Sequence, residues 1–303
     1  MQSLRGTGVA LITPFNDYQI DYPALSRCIE FVIGGGVDYI VALGSTGESA
    51  TLSPTERRQV LSYTIEVVAG RVPVVAGNFG GNDTRRICDD IASFDFTGIT
   101  AILSSSPEYN KPSQEGIFRH YQALASVSPV PLIVYNVPGR TASNVTADTT
   151  IRLSRTCPNI CGIKEASADL AQGQAIIEGA RAGFLVLSGD DPTALQLVEA
   201  GGHGVISVIA NALPGLFTEM IHSALDDHLP RARSVDQRLA EIHPLLYAEG
   251  NPAGIKGLLS LLGLCTPEVR LPLMPATPSL LTALHSQWQR VAVSNPEHDP
   301  KTA

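Results

Sequence analysis

The sequence predicts an α/β protein, a (β/α)8 TIM barrel followed by a C-terminal helical extension. Three observations carry that expectation. Eight short β-branched or apolar runs recur along the chain, mostly about 25 to 33 residues apart, the length of one βα unit. Most of these runs lack polar alternation, as strands buried on both faces of a parallel sheet do. The segments between them carry helix punctuation, and neither G-x-G-x-x-G nor G-x-x-x-x-G-K-[ST] is present to favour a doubly wound, phosphate-binding sheet.

The strands are expected at Val9–Thr13, Tyr39–Leu43, Val72–Ala76 and Ile99–Leu103, then at Leu132–Asn136, Cys161–Lys164, Leu185–Ser188 and Val205–Val208. Asp21-Tyr22-Pro23 opens the first helix. Ser53-Pro54-Thr55-Glu56 opens the second with a cap, a proline at the first helical position and an acid in the first turn. Ser113-Gln114-Glu115 and Thr146-Ala147-Asp148 open later helices in the same way, while Gly70, Gly183 and Gly201-Gly202 stand where helices should stop. After the eighth strand no further strand signal occurs, and breaks fall near His243-Pro244, Asn251-Pro252 and 271–278. The expected division is therefore a barrel over 1–212, a helical extension over 213–292 and a flexible polar tail over 293–303.

Composition excludes several function classes. The 303 residues are 44% hydrophobic and 17% charged, ample for a large core. A formal net charge of -8 without any Lys/Arg cluster argues against nucleic acid. No uninterrupted apolar stretch is long enough to span a bilayer, and residues 1–6 lack an apolar signal region. A cytoplasmic protein without a membrane partner is expected. The 5 cysteines are scattered, with Cys157 and Cys161 lacking zinc-finger spacing, so free buried thiols are expected. The 7 histidines form no metal-ligand pattern, and no metal site is expected.

Chemistry in such a barrel gathers at the C-terminal ends of the strands. The most informative residue there is Lys164, at the end of the apolar run Ile160-Cys161-Gly162-Ile163; the other lysines are Lys111, Lys256 and Lys301. Burial disfavours a charged ammonium and so favours the nucleophilic free amine, although a strand-end lysine could equally snorkel to water. The same face collects Thr13, Gly44-Ser45-Thr46-Gly47-Glu48, Gly77-Asn78, Ser104 with Tyr109, Tyr135-Asn136 leading to Arg140, Gly189-Asp190-Asp191 and Ser207. This set suits a lysine that attacks the ketone of a small 2-oxo acid to form a Schiff base, whose enamine then acts as a carbon nucleophile. Tyr135 could shuttle protons, Ser45 and Thr46 could hold a carboxylate, and Arg140 could grip a second carboxylate-bearing substrate. Each has a plainer alternative. Ser45-Thr46 could cap the next helix, Tyr135 could be a core tyrosine, Arg140 an ordinary loop arginine, and Asp190-Asp191 a cap before Pro192.

These residues resemble the 4-hydroxy-tetrahydrodipicolinate synthase (dihydrodipicolinate synthase) family, within the pyruvate-dependent class I aldolase and N-acetylneuraminate lyase superfamily. The resemblance runs from about Gly8 to Leu281. It is carried by Gly44-Ser45-Thr46-Gly47-Glu48-Ser49, Tyr109-Asn110-Lys111-Pro112, Tyr135-Asn136-Val137-Pro138-Gly139-Arg140-Thr141, Gly162-Ile163-Lys164-Glu165 and Gly204-Val205-Ile206-Ser207-Val208. It implies a lyase of lysine biosynthesis that joins pyruvate to L-aspartate 4-semialdehyde without a cofactor beyond the covalent Schiff base on Lys164. It further implies that Thr46 holds the pyruvate carboxylate and that Tyr135, Ser45 and Tyr109 relay protons. Arg140 would bind the semialdehyde, with Gly189 and Ile206 completing the substrate-binding set. A homotetramer built as a dimer of dimers is implied, with Tyr109 reaching into the neighbouring subunit's site. The sister reading is a lyase for N-acetylneuraminate or a 2-keto-3-deoxy sugar acid, which Arg140 disfavours because a polyhydroxylated chain calls for hydroxyl-binding groups.

Two departures from the family pattern stand out. Ser45 occupies a position usually held by threonine, losing the methyl that fixes the rotamer, so a modest loss of rate is expected. Where lysine-inhibited members have histidines, a glutamate and a tyrosine for the inhibitor, this chain has Pro54, Arg57, Arg86 and Glu108. An arginine in place of a glutamate inverts a local charge that the inhibitor's ammonium needs. Lysine is expected to inhibit weakly or not at all, and an inhibition constant in the range of sensitive members would refute this.

Overall fold

The structure is a computed structural model that describes residues 2–77 and 79–293; Asn78 and the expected tail from residue 294 onward lie outside the described residues. Eight parallel strands close into a barrel: β1 (Gly6–Ala10), β2 (Tyr39–Ala42), β3 (Val74–Ala76), β4 (Ala101–Ser105), β5 (Leu132–Asn136), β6 (Ile160–Glu165), β7 (Leu185–Ser188) and β8 (Gly204–Ser207). Each strand pairs with its sequence neighbour, and β8 returns to β1 through the register Gly6↔Gly204 and Gly8↔Ile206. Helices α1 (Tyr22–Gly34), α2 (Pro54–Val68), α3 (Thr84–Ser93), α4 (Gln114–Val127), α5 (Ala147–Thr156), α6 (Leu170–Gly179), α7 (Ala194–Glu199) and α8 (Pro214–Leu225) follow the strands in turn. The right-handed crossover of each βα unit places them on the outside.

The first strand begins three residues before the expected Val9, because Gly6 and Gly8 read as strand breakers. Close approach makes them necessary. A Cβ at Gly6 would lie 2.1 Å from the Asp38 carboxylate, and one at Gly8 would lie 2.2 Å from the Tyr39 ring. That ring is fully buried inside the barrel and donates its hydroxyl to the Val205 carbonyl at 3.2 Å. With Leu4, Val41, Leu103, Ile133 and Leu187 it forms an inner apolar cluster, distinct from the larger core between strands and helices. The barrel is thus filled, not hollow.

Helix starts follow the sequence signals. Ser53 and Glu56 make the full capping box, with Ser53 Oγ accepting from the Glu56 N–H at 3.2 Å and Glu56 Oε2 from the Ser53 N–H at 2.8 Å. Asp21, Ser113 and Thr146 cap α1, α4 and α5 one way only, each side chain accepting the N–H three residues on. A small hairpin of Phe15–Asn16 with Gln19–Ile20 was not foreseen; its turn places Asp17 and Tyr18 at φ 49° and 61° without a glycine to announce it. All 5 cysteines are free; Cys28, Cys157 and Cys161 are buried, while Cys88 and Cys265 are half-buried.

Beyond β8, helix α8 packs on α1, α7 and β1, although it lies within the stretch expected as the extension. It is followed by α9 (Leu229–Leu239), α10 (His243–Tyr247), α11 (Ala253–Leu261) and α12 (Pro278–Val293). Asp38, just ahead of β2, ties α8 to the barrel: its Oδ2 accepts from the Thr7 N–H at 2.7 Å and meets His222 Nε2 at 2.8 Å. The hydrogen bond to Asp38 raises the His222 imidazole above its ordinary 6.5. A raised folded-state value means stability that is complete below about pH 6.5 and is lost as pH rises through the raised value. The thermal midpoint of the wild-type chain should therefore fall as pH rises through this window, and His222→Gln should flatten that dependence.

Candidate active site

Lys164 reaches the barrel interior through an irregularity in β6. The pairing with β5 runs Leu132↔Ile160 and then Ile133↔Gly162, skipping Cys161, so that Lys164 stands beside Tyr135. Gly162 faces a position where a Cβ would lie 2.6 Å from the Leu185 carbonyl, which leaves no room for any other residue. Lys164 is 5% exposed, and its Nζ lies 4.4 Å from the centroid of the Tyr135 ring. No salt bridge joins it to a described residue. The next strand leaves a slot for it: a Cβ at Gly189 would lie 2.9 Å from both Cγ and Cε of Lys164. Ile206 is fully buried in the same inner cluster as Tyr135. Lys164, Tyr135, Gly189 and Ile206 thus all stand at or just after the C-terminal ends of their strands, at one end of the barrel.

The outer faces of the same strand ends carry a polar lock. Glu165 is buried, and its carboxylate accepts from Asn136 Nδ2 at 3.0 and 3.1 Å, Gln172 Nε2 at 2.8 Å and the Ser167 N–H at 2.8 Å. Asn136 in turn accepts the Val145 N–H at 2.9 Å. Sequence reasoning gave Glu165 no separate role. The available signal was period: next to an inward lysine, Glu165 must face outward into the helix layer, where a carboxylate survives only with donors.

Ser45 and Thr46 lie on the loop after β2, at the same end of the barrel. Thr46 is buried and its hydroxyl accepts from Asn251 Nδ2 at 3.0 Å, whereas Ser45 is half-buried. Glu48, at the end of this loop, is buried against Lys256, a residue to which the sequence reading gave no role; the two meet at 2.5 Å. Asp191 does not cap the turn before Pro192, as its sequence context suggested. Its Oδ2 instead receives the Val208 and Ile209 N–H groups at 2.9 and 2.8 Å, fastening the turn after β8. Burial pushes the Asp191 carboxyl up, with His243 opposing, and burial together with Asp191 pushes the nearby Tyr247 phenol well up.

Two expected site residues stand apart. Arg140 is exposed on a single helical turn, Pro138–Thr141, directly after β5. Tyr109 is 89% exposed on the loop after β4, at φ 64°, with its N–H donated to the Thr141 carbonyl at 3.1 Å. Within one chain no hydrogen bond joins the hydroxyls of Ser45, Tyr135 and Tyr109.

Comparison with known proteins places these features in context. The profile of the Dihydrodipicolinate synthetase family matches residues 3–290. A relative from Cytophaga hutchinsonii named 4-hydroxy-tetrahydrodipicolinate synthase is 48% identical over 299 residues, covering 98% of this chain and 100% of that one. The solved dihydrodipicolinate synthase of Thermotoga maritima superposes with a TM-score of 0.93 at 35% identity, covering 95% of this chain and 99% of that one. A dihydrodipicolinate synthase variant described as monomeric also superposes at 0.93, with 34% identity and coverage of 96% and 97%.

The slot at Gly189 yields a direct expectation. Gly189→Ala should push the Lys164 side chain from its place, seen as reduced labelling of Lys164 by a small carbonyl compound and borohydride while the circular dichroism of the fold is retained.

Proposed function

The chain belongs to the dihydrodipicolinate synthetase family, and we propose that Lys164 is the amine on which its chemistry turns. The reaction is the condensation of pyruvate with L-aspartate 4-semialdehyde, giving 4-hydroxy-tetrahydrodipicolinate for lysine biosynthesis by the diaminopimelate route. In the mechanism proposed, the Lys164 amine adds to the pyruvate ketone carbon, and loss of water leaves a protonated imine. The imine withdraws electrons, the pyruvate methyl loses a proton, and the enamine carbon attacks the aldehyde of the second substrate. The amine of that substrate then displaces Lys164 as the ring closes, returning the free lysine. No cofactor enters this scheme.

The observation that carries it is the placement of Lys164: buried, without a carboxylate partner, and set against the Tyr135 face. An amine free of a counterion is available to a carbonyl. Tyr135, Ser45 and Tyr109 are assigned to proton transfer, Thr46 with the loop amides to the pyruvate carboxylate, and Arg140 to the carboxylate of the semialdehyde. Gly189 and Ile206 are assigned to the pocket wall. The exposure of Tyr109 supports a second copy of the chain completing the relay, within a tetramer built as a dimer of dimers. Among the described residues no helix is long and apolar enough to cross a membrane, and the proposed compartment is the cytoplasm. Nothing favours the sugar-acid lyase reading over this one.

Trapping separates the possibilities. Incubation with pyruvate and borohydride should add one reduced pyruvate to Lys164, seen by mass spectrometry. Lys164→Ala should abolish the adduct and the turnover of aspartate semialdehyde. Arg140→Ala should keep the adduct and lose semialdehyde turnover by roughly 10²-fold or more, the scale of one charge-assisted bidentate contact. A wild-type chain that forms no adduct would remove the Schiff base from the mechanism.

A further inference from the structure

The chemistry above uses one buried lysine and leaves another without a role. Lys256, on α11, has no solvent exposure, and its ammonium meets Glu48 Oε1 at 2.5 Å, the Glu268 carbonyl at 2.9 Å and the Phe15 ring at 4.1 Å. Glu48 is buried as well, and its Oε2 accepts the Arg270 N–H at 3.0 Å. Well-packed apolar residues often replace such a pair without loss of stability, so stability alone does not account for it.

Its position in the chain is more telling. Glu48 ends the loop that carries Ser45 and Thr46, and the loop is strained at both ends. Leu43 sits at φ 63° and Glu48 at φ 52°, a region that a leucine or a glutamate keeps only when its surroundings hold it there. Between them, a Cβ at Gly47 would lie 3.0 Å from the Leu11 carbonyl, so the loop is also wedged against the residue that follows β1. Besides the Arg270 N–H, two side chains of the C-terminal extension reach this loop. Lys256 holds Glu48, and Asn251 donates to the Thr46 hydroxyl at 3.0 Å.

We propose that Lys256 is a positioning residue for recognition of the pyruvate carboxylate. Through Glu48 it holds the strained loop so that the Thr46 hydroxyl and the neighbouring amides face that carboxylate, with Asn251 as a second anchor. The proposal rests on the assignment of Thr46 to the pyruvate carboxylate. Lys256 touches no reacting atom, so its loss weakens pyruvate binding and leaves the later steps intact.

Steady-state kinetics on the full chain tests this. Lys256→Met alone strands the Glu48 carboxylate in the core and is expected to destabilise the fold, so the informative variant is Glu48→Gln with Lys256→Met, which removes both charges. It should keep the parental thermal midpoint and raise the KM for pyruvate roughly ten-fold, the effect of one lost charge-assisted contact. Its kcat at saturating pyruvate and its KM for the semialdehyde should stay within about two-fold of the parent. Thr46→Val, run beside it, should also raise the KM for pyruvate. A double variant with the parental KM overturns the proposal, and if Thr46→Val is still impaired the carboxylate assignment stands. A double variant whose midpoint collapses, or whose kcat alone falls, also overturns it, because the pair would then serve the fold or the chemistry. An unchanged KM in Thr46→Val overturns the assignment and the proposal together.

Discussion

The pairing of β5 with β6 is the constraint on which the mouth of this barrel depends. A slip of one residue turns every side chain of a strand to the other face. Here it would send Lys164 into the helix layer and bring Ile163 inward. Two features hold the register Tyr135↔Lys164 and Asn136↔Glu165. Inside, Gly162 fits where the Leu185 carbonyl admits no side chain. Outside, the Glu165 carboxylate collects donors from Asn136, Ser167 and Gln172. Hydrogen bonds to a charged group contribute about 1.5–3 kcal/mol each. A polar set that faces away from the pocket thus decides which side chain enters it.

Lys164 and Lys256 are both buried and differ in what they face. Burial pushes the Lys256 ammonium down while Glu48 pushes it back up. Withdrawing one partner from a fully buried pair costs about 3–5 kcal/mol, so Lys256 is committed to Glu48 and is poorly available to a carbonyl. Lys164 is nearly as buried, yet it faces an aromatic ring instead of a carboxylate. On the proposed assignment of Lys164, the partner, more than the depth, separates the structural lysine from the nucleophilic one.

Much of this was legible in the chain before any coordinates. Strands such as Leu132–Asn136 and Leu185–Ser188 declare themselves as unbroken apolar runs, and the caps Asp21, Ser53, Ser113 and Thr146 mark helix starts through local hydrogen bonding. The position of Lys164 could be read because strand period and chain order are local properties. What stayed hidden depends on contacts distant in sequence. Gly6 and Gly8 look like breakers until Asp38 and Tyr39 supply the reason for them. Lys256 and Asn251 look like ordinary residues of the helical extension until the fold brings them onto a loop more than 200 positions earlier, at separations of 208 and 205. Neither periodicity nor capping carries information of that range.

Depth in the barrel also orders the two substrates. The interior below Lys164 is filled by Tyr39, Leu103, Leu187 and their neighbours, so a carbonyl can approach the amine only from the mouth. Arg140 and Tyr109 stand exposed at the rim. On the proposed assignments, a semialdehyde held at the rim would lie across the path to Lys164. Pyruvate must therefore enter and react first, and the enamine it forms is then the floor on which the second substrate lands. On those assignments, the gradient from a buried amine to an exposed guanidinium would make the order of addition a property of the fold.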